Sequence, residues 1–376
     1  MKPLSLILAL FFVPLAYAAT LPPPPAPQIE ARAWLLTDLL SGQTLAEQAA
    51  DARVEPASLT KLMTAYLVFT ALKEGRLRPD QTLPVSERAW RAEGSRMFLD
   101  PRQPAKVDDL LKGVIVQSGN DACIVLAEAI AGSEEGFAAM MNAMAKRLGM
   151  HNTHFVNSTG LPHPQHYSTA RDLTRLAAAL IRDYPNYYTY YAIKAFTYNG
   201  ITQPNRNRLL WLDPNVDGVK TGHTASAGYC LIASARRGER RLLSVVLGAR
   251  SDNARAMESQ RLLNYGFQAF DTVRLYKANQ PVTRVKIYKG RRSEVSLGYG
   301  QDFYVTVPRG AGERIQAQLI TQQPLLAPVT RGQQIGTLRL TLDGRPIGDY
   351  PLRALDDVPV AGLLGRIWDS ILLWFR

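Results

Sequence analysis

The chain has 376 residues, which is enough for two or three domains with a sizeable core. Because 46% of the residues are hydrophobic and 20% are charged, the composition excludes a disordered protein. The formal net charge is +12, but no basic run is long enough for a nucleic-acid patch, so we expect no nucleic-acid partner. A cationic surface fits anionic lipid or an anionic wall polymer better.

Residues 1–18 have the three parts of a secretory signal peptide. Lys2 supplies a positive charge, residues 4–15 form an apolar run that is too short to cross a bilayer, and residues 16–18 form a small-residue cleavage site. We therefore predict an exported protein. Its mature chain begins with a proline-rich, extended spacer over residues 19–28.

Residues 29–277 have the pattern of one mixed α/β (α+β) domain. A hairpin is predicted over residues 31–45, and two apolar strands are predicted at 228–236 and 241–249. The helical patterns are 56–75, which has the spacing of an amphipathic helix, and 107–117, 121–131, 135–148, 170–180 and 254–270. Because strands near both ends of the domain enclose most of the helices, we expect one antiparallel sheet flanked by a helical cluster.

Residues 281–357 alternate apolar and polar side chains and contain turn signals, including Asp343-Gly344. This pattern predicts a small all-β domain, a sandwich. Residues 359–376 are predicted to form an amphipathic membrane-anchor helix, since the apolar side chains of 363–376 fall on one half of a helical wheel with Leu373 as the exception. The alternative is a helix that docks on the β domain.

The cysteines and histidines do not form a recognisable metal or disulfide pattern. Cys123 and Cys230 each lie in an apolar run, which favours two separate buried thiols. Residues 151–166 contain four histidines, but their spacing is irregular and no thiol or carboxylate joins them. We interpret this stretch as a loop bordering the active site and predict neither a metal nor a cofactor.

Three short motifs carry the chemistry. They are Ser58-Leu59-Thr60-Lys61, Ser118-Gly119-Asn120 and Lys220-Thr221-Gly222. Each motif alone is weak evidence, but their joint occurrence in this order behind a signal peptide is strong. The set matches the motifs of penicillin-binding proteins and class A β-lactamases.

The first motif predicts a serine nucleophile with its own base. Lys61 lies one helical turn after Ser58 and therefore on the same face. It can accept a proton only if it is neutral, which requires burial or a positive field from the helix N-terminus and Lys220. The amide of Ser58 and the backbone N–H of His223 are candidates for an oxyanion hole.

The other two motifs predict groups that act on the substrate. Ser118 supplies a hydroxyl that can pass a proton to the leaving amine, and Asn120 can hold a substrate amide. Lys220 and Thr221 offer a cation and a hydroxyl for a terminal carboxylate. Taken singly, Ser118 and Asn120 also fit helix caps.

The chain resembles the low-molecular-mass penicillin-binding proteins, which are serine-type D-alanyl-D-alanine carboxypeptidases. The similarity extends beyond the motifs to segments that include "NTHFVNSTGL", "YSTARDL", "NRNRLLW" and "VDGVKTGHTASAGYC". The resemblance implies a β-lactamase/transpeptidase-like fold and removal of the terminal D-alanine from peptidoglycan stem peptides through an acyl-enzyme on Ser58. It also implies acylation by β-lactams and a location on the periplasmic face of the inner membrane, as a peripheral protein.

The resemblance further implies a substrate-binding role for Thr221, Gly222 and His223, and for an arginine that holds or shapes the carboxylate pocket. Arg206 and Arg255 are at the matching positions, although a surface salt bridge is an open alternative for both.

Two other functions share parts of the pattern. A class A β-lactamase needs a glutamate that activates the deacylating water, but residues 152–180 contain no glutamate. A penicillin sensor or wall-binding scaffold without turnover is the second alternative, although the intact motifs speak against it. The oligomeric state is left open.

Overall fold

The structure is a computed structural model that describes residues 25–374. The predicted signal peptide, most of the spacer and the last two residues of the predicted tail helix lie outside the described residues.

The described residues contain ten α-helices. They are α1 (Lys61–Lys73), α2 (Glu87–Trp90), α3 (Val107–Lys112), α4 (Asn120–Ala131), α5 (Glu134–Arg147), α6 (Ala170–Asp183), α7 (Pro185–Tyr188), α8 (Leu209–Leu212), α9 (Asp252–Ala269) and α10 (Leu363–Trp374). Seven of these ten helices correspond to predicted helical patterns, whereas the short helices α2, α7 and α8 were not predicted.

The strands fall into a catalytic-domain set and a β-domain set. The first set is β1 (Ala33–Asp38), β2 (Thr44–Gln48), β3 (Thr82–Leu83), β4 (Ala105–Lys106), β5 (Ala195–Tyr198), β6 (Ile201–Pro204), β7 (Val216–Thr224), β8 (Gly228–Arg237) and β9 (Arg240–Ala249). The second set is β10 (Phe270–Tyr276), β11 (Pro281–Tyr288), β12 (Glu294–Gly298), β13 (Phe303–Pro308), β14 (Ile315–Thr321), β15 (Leu325–Leu326), β16 (Gln334–Leu342) and β17 (Arg345–Ala354).

The catalytic domain is built on one five-stranded antiparallel sheet in the order β2-β1-β9-β8-β7, which confirms the predicted architecture. Side chains alternate between the two faces of each strand. Leu35 and Val245 therefore pack with the central helical cluster, whereas Leu36 and Val246 pack with α9. Strand β7 lies at the edge of the sheet, so one of its sides has no neighbouring strand in this sheet.

Two of the predicted helices differ from the structure. The helix predicted at 56–75 is present as α1, but it is not amphipathic as expected, because residues 61–69 are all buried. It begins with a 3₁₀ turn, Ala57–Thr60. The predicted helix 107–117 changes after Lys112 into a π-helical turn, Gly113–Gln117, which ends at Ser118 in the left-handed conformation. Such turns occur often at functional sites.

The β domain has a six-stranded sheet in the order β14-β16-β17-β12-β11-β15 and a two-stranded ribbon of β10 and β13, which share one core. Asp343 and Gly344 both have positive φ angles, as a tight two-residue hairpin turn between β16 and β17 requires. Because β10 pairs with β13, residues 270–276 belong structurally with the β domain. The predicted boundary after residue 277 is thus one strand too late.

The tail helix α10 begins at Leu363, later than the predicted residue 359. The preceding residues cannot join the helix because Val358 and Val360 form bridges with the β domain. The apolar half of α10 faces solvent: Leu364 is 84% exposed and Trp374 is 89% exposed. Within residues 25–374, no helix is both long and apolar enough to cross a membrane.

Candidate active site

The Ser58 hydroxyl lies at the entrance to α1, within the 3₁₀ turn. Ala57, just before it, has a φ of +48°, a strained conformation for a residue with a side chain. The Nζ atom of Lys61 lies 3.0 Å from Ser58 Oγ and 2.6 Å from the carbonyl oxygen of Thr159. The structure therefore brings the predicted nucleophile and base into hydrogen-bonding distance.

Burial controls the charge of Lys61. Its side chain is only 1% exposed, and burial lowers the pKa of Lys61 to about 8, with a smaller contribution from the positive charge of Arg206. Cys123, Asp121 and Glu134 act in the opposite direction. A substantial fraction of this amine is consequently neutral near pH 8 and can accept a proton.

A hydrogen bond connects the second motif with the third. Ser118 has a φ of +63°, and its Oγ accepts a hydrogen bond of 3.0 Å from Lys220 Nζ. Asn120 is the first residue of α4, and its Nδ2 donates to the carbonyl oxygen of Glu93. Its Oδ1 is buried without a partner among the described residues. This oxygen is therefore available to accept a hydrogen bond from a ligand.

Edge strand β7 places the third motif beside Ser58. Lys220 is 3% exposed and also donates to the carbonyl oxygen of Thr221. Gly222 allows the close approach, because a Cβ added there would lie 3.1 Å from the carbonyl oxygen of Pro56. Burial lowers the pKa of Lys220 well below its ordinary value, and nearby Lys61 lowers it further.

One open cavity of about 720 Å³ is lined by the two motif serines, whereas Lys61, Asn120 and Lys220 are buried and are not part of its lining. Its lining comprises Ser58, Gly94, Ser95, Ser118, Gln203, Pro204, Asn205, Arg206, Arg208, Thr221, Gly222, His223, Tyr229, Asp252 and Arg255. His223 is exposed, and its ring centroid lies 4.1 Å from that of Tyr229. The hairpin of β5 and β6, which the sequence analysis missed, leads directly to Arg206 at the rim of the cavity.

The two candidate arginines have different environments. Arg206 is exposed and has no ion-pair partner among residues 25–374, while its neighbour Asn207 donates to the carbonyl oxygen of Gly218 and so ties this loop to β7. Arg255 is buried, donates to the carbonyl oxygen of Gly222 at 3.1 Å and pairs with Asp252. Neither arginine therefore forms the exposed surface salt bridge that the sequence analysis named as the alternative to a role in the site.

Sequence reasoning missed the groups that support Lys61 from behind. The amine of Lys61 donates to the carbonyl oxygen of Thr159. The next residue, Gly160, packs against the carbonyl group of Ala57. Glu134 accepts hydrogen bonds from the backbone N–H and the hydroxyl of Ser158. The segment "VNSTGL" resembled the family, but a backbone carbonyl leaves no signature in residue type that would assign this role.

One histidine of the predicted loop at 151–166 contacts the turn that carries Ser58. His166 is buried, its Nε2 lies 2.8 Å from Thr60 Oγ1, and burial lowers its pKa to about 4. In the described part of the chain, no group of three or more His, Cys, Asp or Glu side chains is arranged to hold a metal ion. Cys123 and Cys230 are free, buried thiols, as predicted.

The mixed fold and its paired serine–lysine motifs define a serine peptidase of the penicillin-binding class. The chain belongs to the peptidase S11 family, described as D-alanyl-D-alanine carboxypeptidase, whose family model matches residues 19–251. Residues 270–360 match the C-terminal domain of penicillin-binding protein 5.

Individual proteins support this assignment over nearly the whole chain. The D-alanyl-D-alanine carboxypeptidase DacC of Escherichia coli (strain K12) is 46% identical over 97% of this chain and 93% of its own length. The crystal structure of penicillin-binding protein 5 from Haemophilus influenzae superposes with a TM-score of 0.86 at 41% identity, covering 89% of this chain and 99% of that one. Penicillin-binding protein D2 from Listeria monocytogenes, in its ampicillin-bound form, has a TM-score of 0.60 at 33% identity, covering 65% and 99% of the two chains.

Proposed function

We propose that this protein removes the terminal D-alanine from peptidoglycan stem peptides that end in D-Ala-D-Ala. The observation that carries the proposal is the 3.0 Å separation of Ser58 Oγ from the buried amine of Lys61. Ser58 Oγ attacks the carbonyl carbon of the penultimate D-alanine while Lys61 takes the hydroxyl proton. Ser118 passes a proton to the leaving nitrogen, D-alanine departs, and water hydrolyses the ester on Ser58.

The rest of the cavity binds the substrate and the developing charge. The exposed guanidinium of Arg206 and the hydroxyl of Thr221 line the cavity and receive the terminal carboxylate. Lys220 contributes indirectly, through its hydrogen bond to Ser118. The unpartnered Oδ1 of Asn120 accepts a substrate amide N–H. The N–H groups of Ser58 and His223 form the oxyanion hole.

Gly222 and Arg255 serve the site through the edge strand. Gly222 permits the close packing of β7 against the Ser58 turn, and Arg255 holds the Gly222 carbonyl from the opposite side. This contact supports a positioning role for Arg255, since its guanidinium is already engaged by the Gly222 carbonyl and Asp252.

β-Lactams acylate the same serine and are released slowly. The ampicillin-bound form of the Listeria protein supports this part of the proposal. Fast deacylation, as in a class A β-lactamase, would need a carboxylate free to activate water. Glu134 is buried and acts electrostatically on Lys61, but its carboxylate is occupied by Ser158 and Arg88.

The deciding experiment uses the exported chain with residues 363–376 removed. It is incubated with a fluorescent penicillin and, separately, with a pentapeptide ending in D-Ala-D-Ala. Lasting label together with released D-alanine is the expected result. Rapid loss of label with an opened lactam ring would identify a β-lactamase instead, and lasting label without D-alanine would identify a sensor.

The rate of acylation should depend on pH through Lys61. Because the amine is active only when neutral and its pKa is lowered to about 8, the second-order rate constant for penicillin acylation should rise as the pH increases toward 8 and level off above it. A stopped-flow titration of the acylation rate would show this profile. A rate that is flat from pH 6 to pH 9 would contradict the assignment of Lys61 as base.

We further propose that α10 anchors the exported protein peripherally to the periplasmic face of the inner membrane. The support is the solvent exposure of its apolar half, which includes Leu364, Trp368 and Trp374. Its opposite side faces the protein, since the carboxylate of Asp369 accepts the backbone N–H of Lys289. Leu373, one turn beyond Asp369, is half-buried on the same side. This partial burial against the protein explains why an apolar residue lies outside the apolar half of the helix at this position.

Deleting residues 363–376 should move the protein from the membrane fraction to the soluble fraction. A matched pair of neutral substitutions compares the two halves of the helix. Trp368→Gln, on the apolar half, should release the protein, whereas Ser370→Gln, on the polar half, should have little effect. Cell fractionation with an immunoblot measures both. If the deleted protein still sediments with membranes, α10 is not the anchor.

A further inference from the structure

A basic segment of the β domain lies against the tail helix. From Arg284 to Arg292 the sequence "RVKIYKGRR" contains five basic residues and no acidic one. Lys286, Arg291 and Arg292 are exposed, and none of the three has an ion-pair partner among the described residues. The segment therefore presents uncompensated positive charge at the end of β11.

Backbone hydrogen bonds fix this segment to the start of α10. The N–H of Arg291 donates to the carbonyl oxygen of Pro359 at 2.9 Å, and the N–H of Ala361 donates to the carbonyl oxygen of Lys289 at 2.8 Å. Gly290 forms a bridge with Val360. The basic segment is thus hydrogen-bonded to the residues that lead into the helix, and the two form one connected surface.

The segment lies on the protein side of the helix, opposite the apolar half. The carboxylate of Asp369, on that inner side, accepts the N–H of Lys289. An α-helix with its side chains is about 10 Å across. If the apolar half enters a membrane, the basic segment lies about one helix diameter from the surface, close to the Debye length of about 8 Å at physiological ionic strength.

An open groove lies on one flank of the helix, where the edge of its apolar half borders the β domain, and adds to this surface. It has a volume of about 620 Å³, and its lining includes Lys289, Arg366, Ile367, Ile371 and Trp374. Two cations beside an apolar wall match the chemistry of a phospholipid, which has an anionic phosphate next to acyl chains.

The acidic groups near this surface do not cancel its charge. Asp369 is engaged with the Lys289 N–H, and Asp357 accepts the N–H of Arg331. Glu294 and Asp356 are the other carboxylates close in sequence to the two segments. Over residues 284–294 and 356–369 there are six basic and four acidic side chains, so the surface has a positive balance.

We infer that residues 286–292 and α10 together form a docking surface that selects anionic phospholipid over neutral phospholipid. The inference rests on the proposed anchoring role of α10 and assigns a second task to the β domain. In this arrangement the helix supplies apolar binding area, and the basic segment supplies the preference for negative lipid headgroups.

The test compares two pairs of charge substitutions in the full mature chain. Arg291→Gln with Arg292→Gln removes two exposed charges from the basic segment. Lys146→Gln with Arg147→Gln removes two exposed charges, equally without ion-pair partners among the described residues, from the end of α5. Binding is measured by sedimentation with vesicles of phosphatidylcholine alone and with vesicles of equal parts phosphatidylcholine and phosphatidylglycerol.

The unsubstituted chain should bind the phosphatidylglycerol vesicles more tightly, and added salt should reduce the difference. The Arg291/Arg292 variant should lose about 3-fold in affinity for these vesicles, because the removed charges lie about one Debye length from the surface, and the Lys146/Arg147 variant should lose little. Equal affinity of the unsubstituted chain for both vesicles, or equal losses in the two variants, would overturn the inference while leaving the anchor intact.

Two further outcomes distinguish a failure of this inference from a failure of the proposed anchoring role of α10. If the unsubstituted chain binds neither kind of vesicle, the anchoring role fails. If the Arg291/Arg292 variant binds vesicles normally but loses affinity for purified peptidoglycan, the basic segment recognises the wall and the lipid assignment is wrong. Label with fluorescent penicillin should be unchanged in every variant, because these residues are absent from the lining of the catalytic cavity.

Discussion

Replacing Lys61 with arginine should lower the rate of acylation at Ser58 by about 10²- to 10⁴-fold, the usual contribution of a general base. The substitution keeps a positive charge but removes a group that can become neutral, because an arginine side chain stays protonated in proteins. In the wild-type protein, burial holds the pKa of Lys61 at about 8. The effect should therefore appear as a loss of chemistry at every accessible pH, measured as the acylation rate with fluorescent penicillin.

Two controls distinguish loss of the base from loss of the fold. Arginine is larger than lysine, and the side chain at this position is 1% exposed, so the thermal stability of the variant must be measured in parallel. Lys61→Met fills a similar volume without an amine and should be equally slow. Lys146→Arg, on the exposed end of α5, should acylate normally. A folded Lys61→Arg protein that acylates at a near-normal rate would show that another group takes the proton.

Replacing Gly160 with alanine should damage both the stability and the active site. Gly160 has a φ of +83°, and a Cβ added there would lie 1.8 Å from the carbonyl oxygen of Ala57 and 2.8 Å from Thr60 Oγ1. Those atoms belong to the 3₁₀ turn that carries Ser58. Because backbone must move to relieve this overlap, we expect a loss of about 3 kcal/mol in the free energy of unfolding and a strongly reduced acylation rate.

Gly132 provides the matched control. It has a similar φ of +76° at the C-terminal end of α4, but a Cβ added there meets nothing within 4 Å. Gly132→Ala therefore carries only the cost of a left-handed backbone, about 1 kcal/mol, and should leave acylation unchanged. Thermal or denaturant unfolding measures both variants. Equal losses in the two would mean that backbone strain alone, and not contact with the Ser58 turn, explains the effect.

The strained backbone at the site is consistent with its proposed chemistry. Ala57 and Ser118 both occupy the left-handed region, one beside the nucleophile and the other within the second motif. Each costs of order 1–2 kcal/mol, which the packing of the buried helical cluster must offset. The result is that Ser58 and Ser118 are held facing two buried lysines before any substrate arrives.

Local sequence determined those features that depend on residues close together in the chain. The spacing of Ser58 and Lys61 predicts their contact because a helical turn brings such residues to one face. The two apolar strands, the Asp343-Gly344 turn and the apolar half of α10 were likewise readable, since each reflects a local repeat or a local backbone requirement. Chain order and motif type were sufficient for the class of protein.

Tertiary structure alone decided the features that depend on what surrounds a residue. Periodicity described α1 as one-sided, but the helices and sheet packed around it bury every side of its first nine residues. The Thr159 carbonyl meets Lys61 across 98 positions of the chain, and Gly222 meets the Ser58 turn across a still longer separation. The sequence therefore specified which groups can react. The packing of distant segments lowered the pKa values of both buried amines, Lys61 and Lys220, because those segments desolvate them.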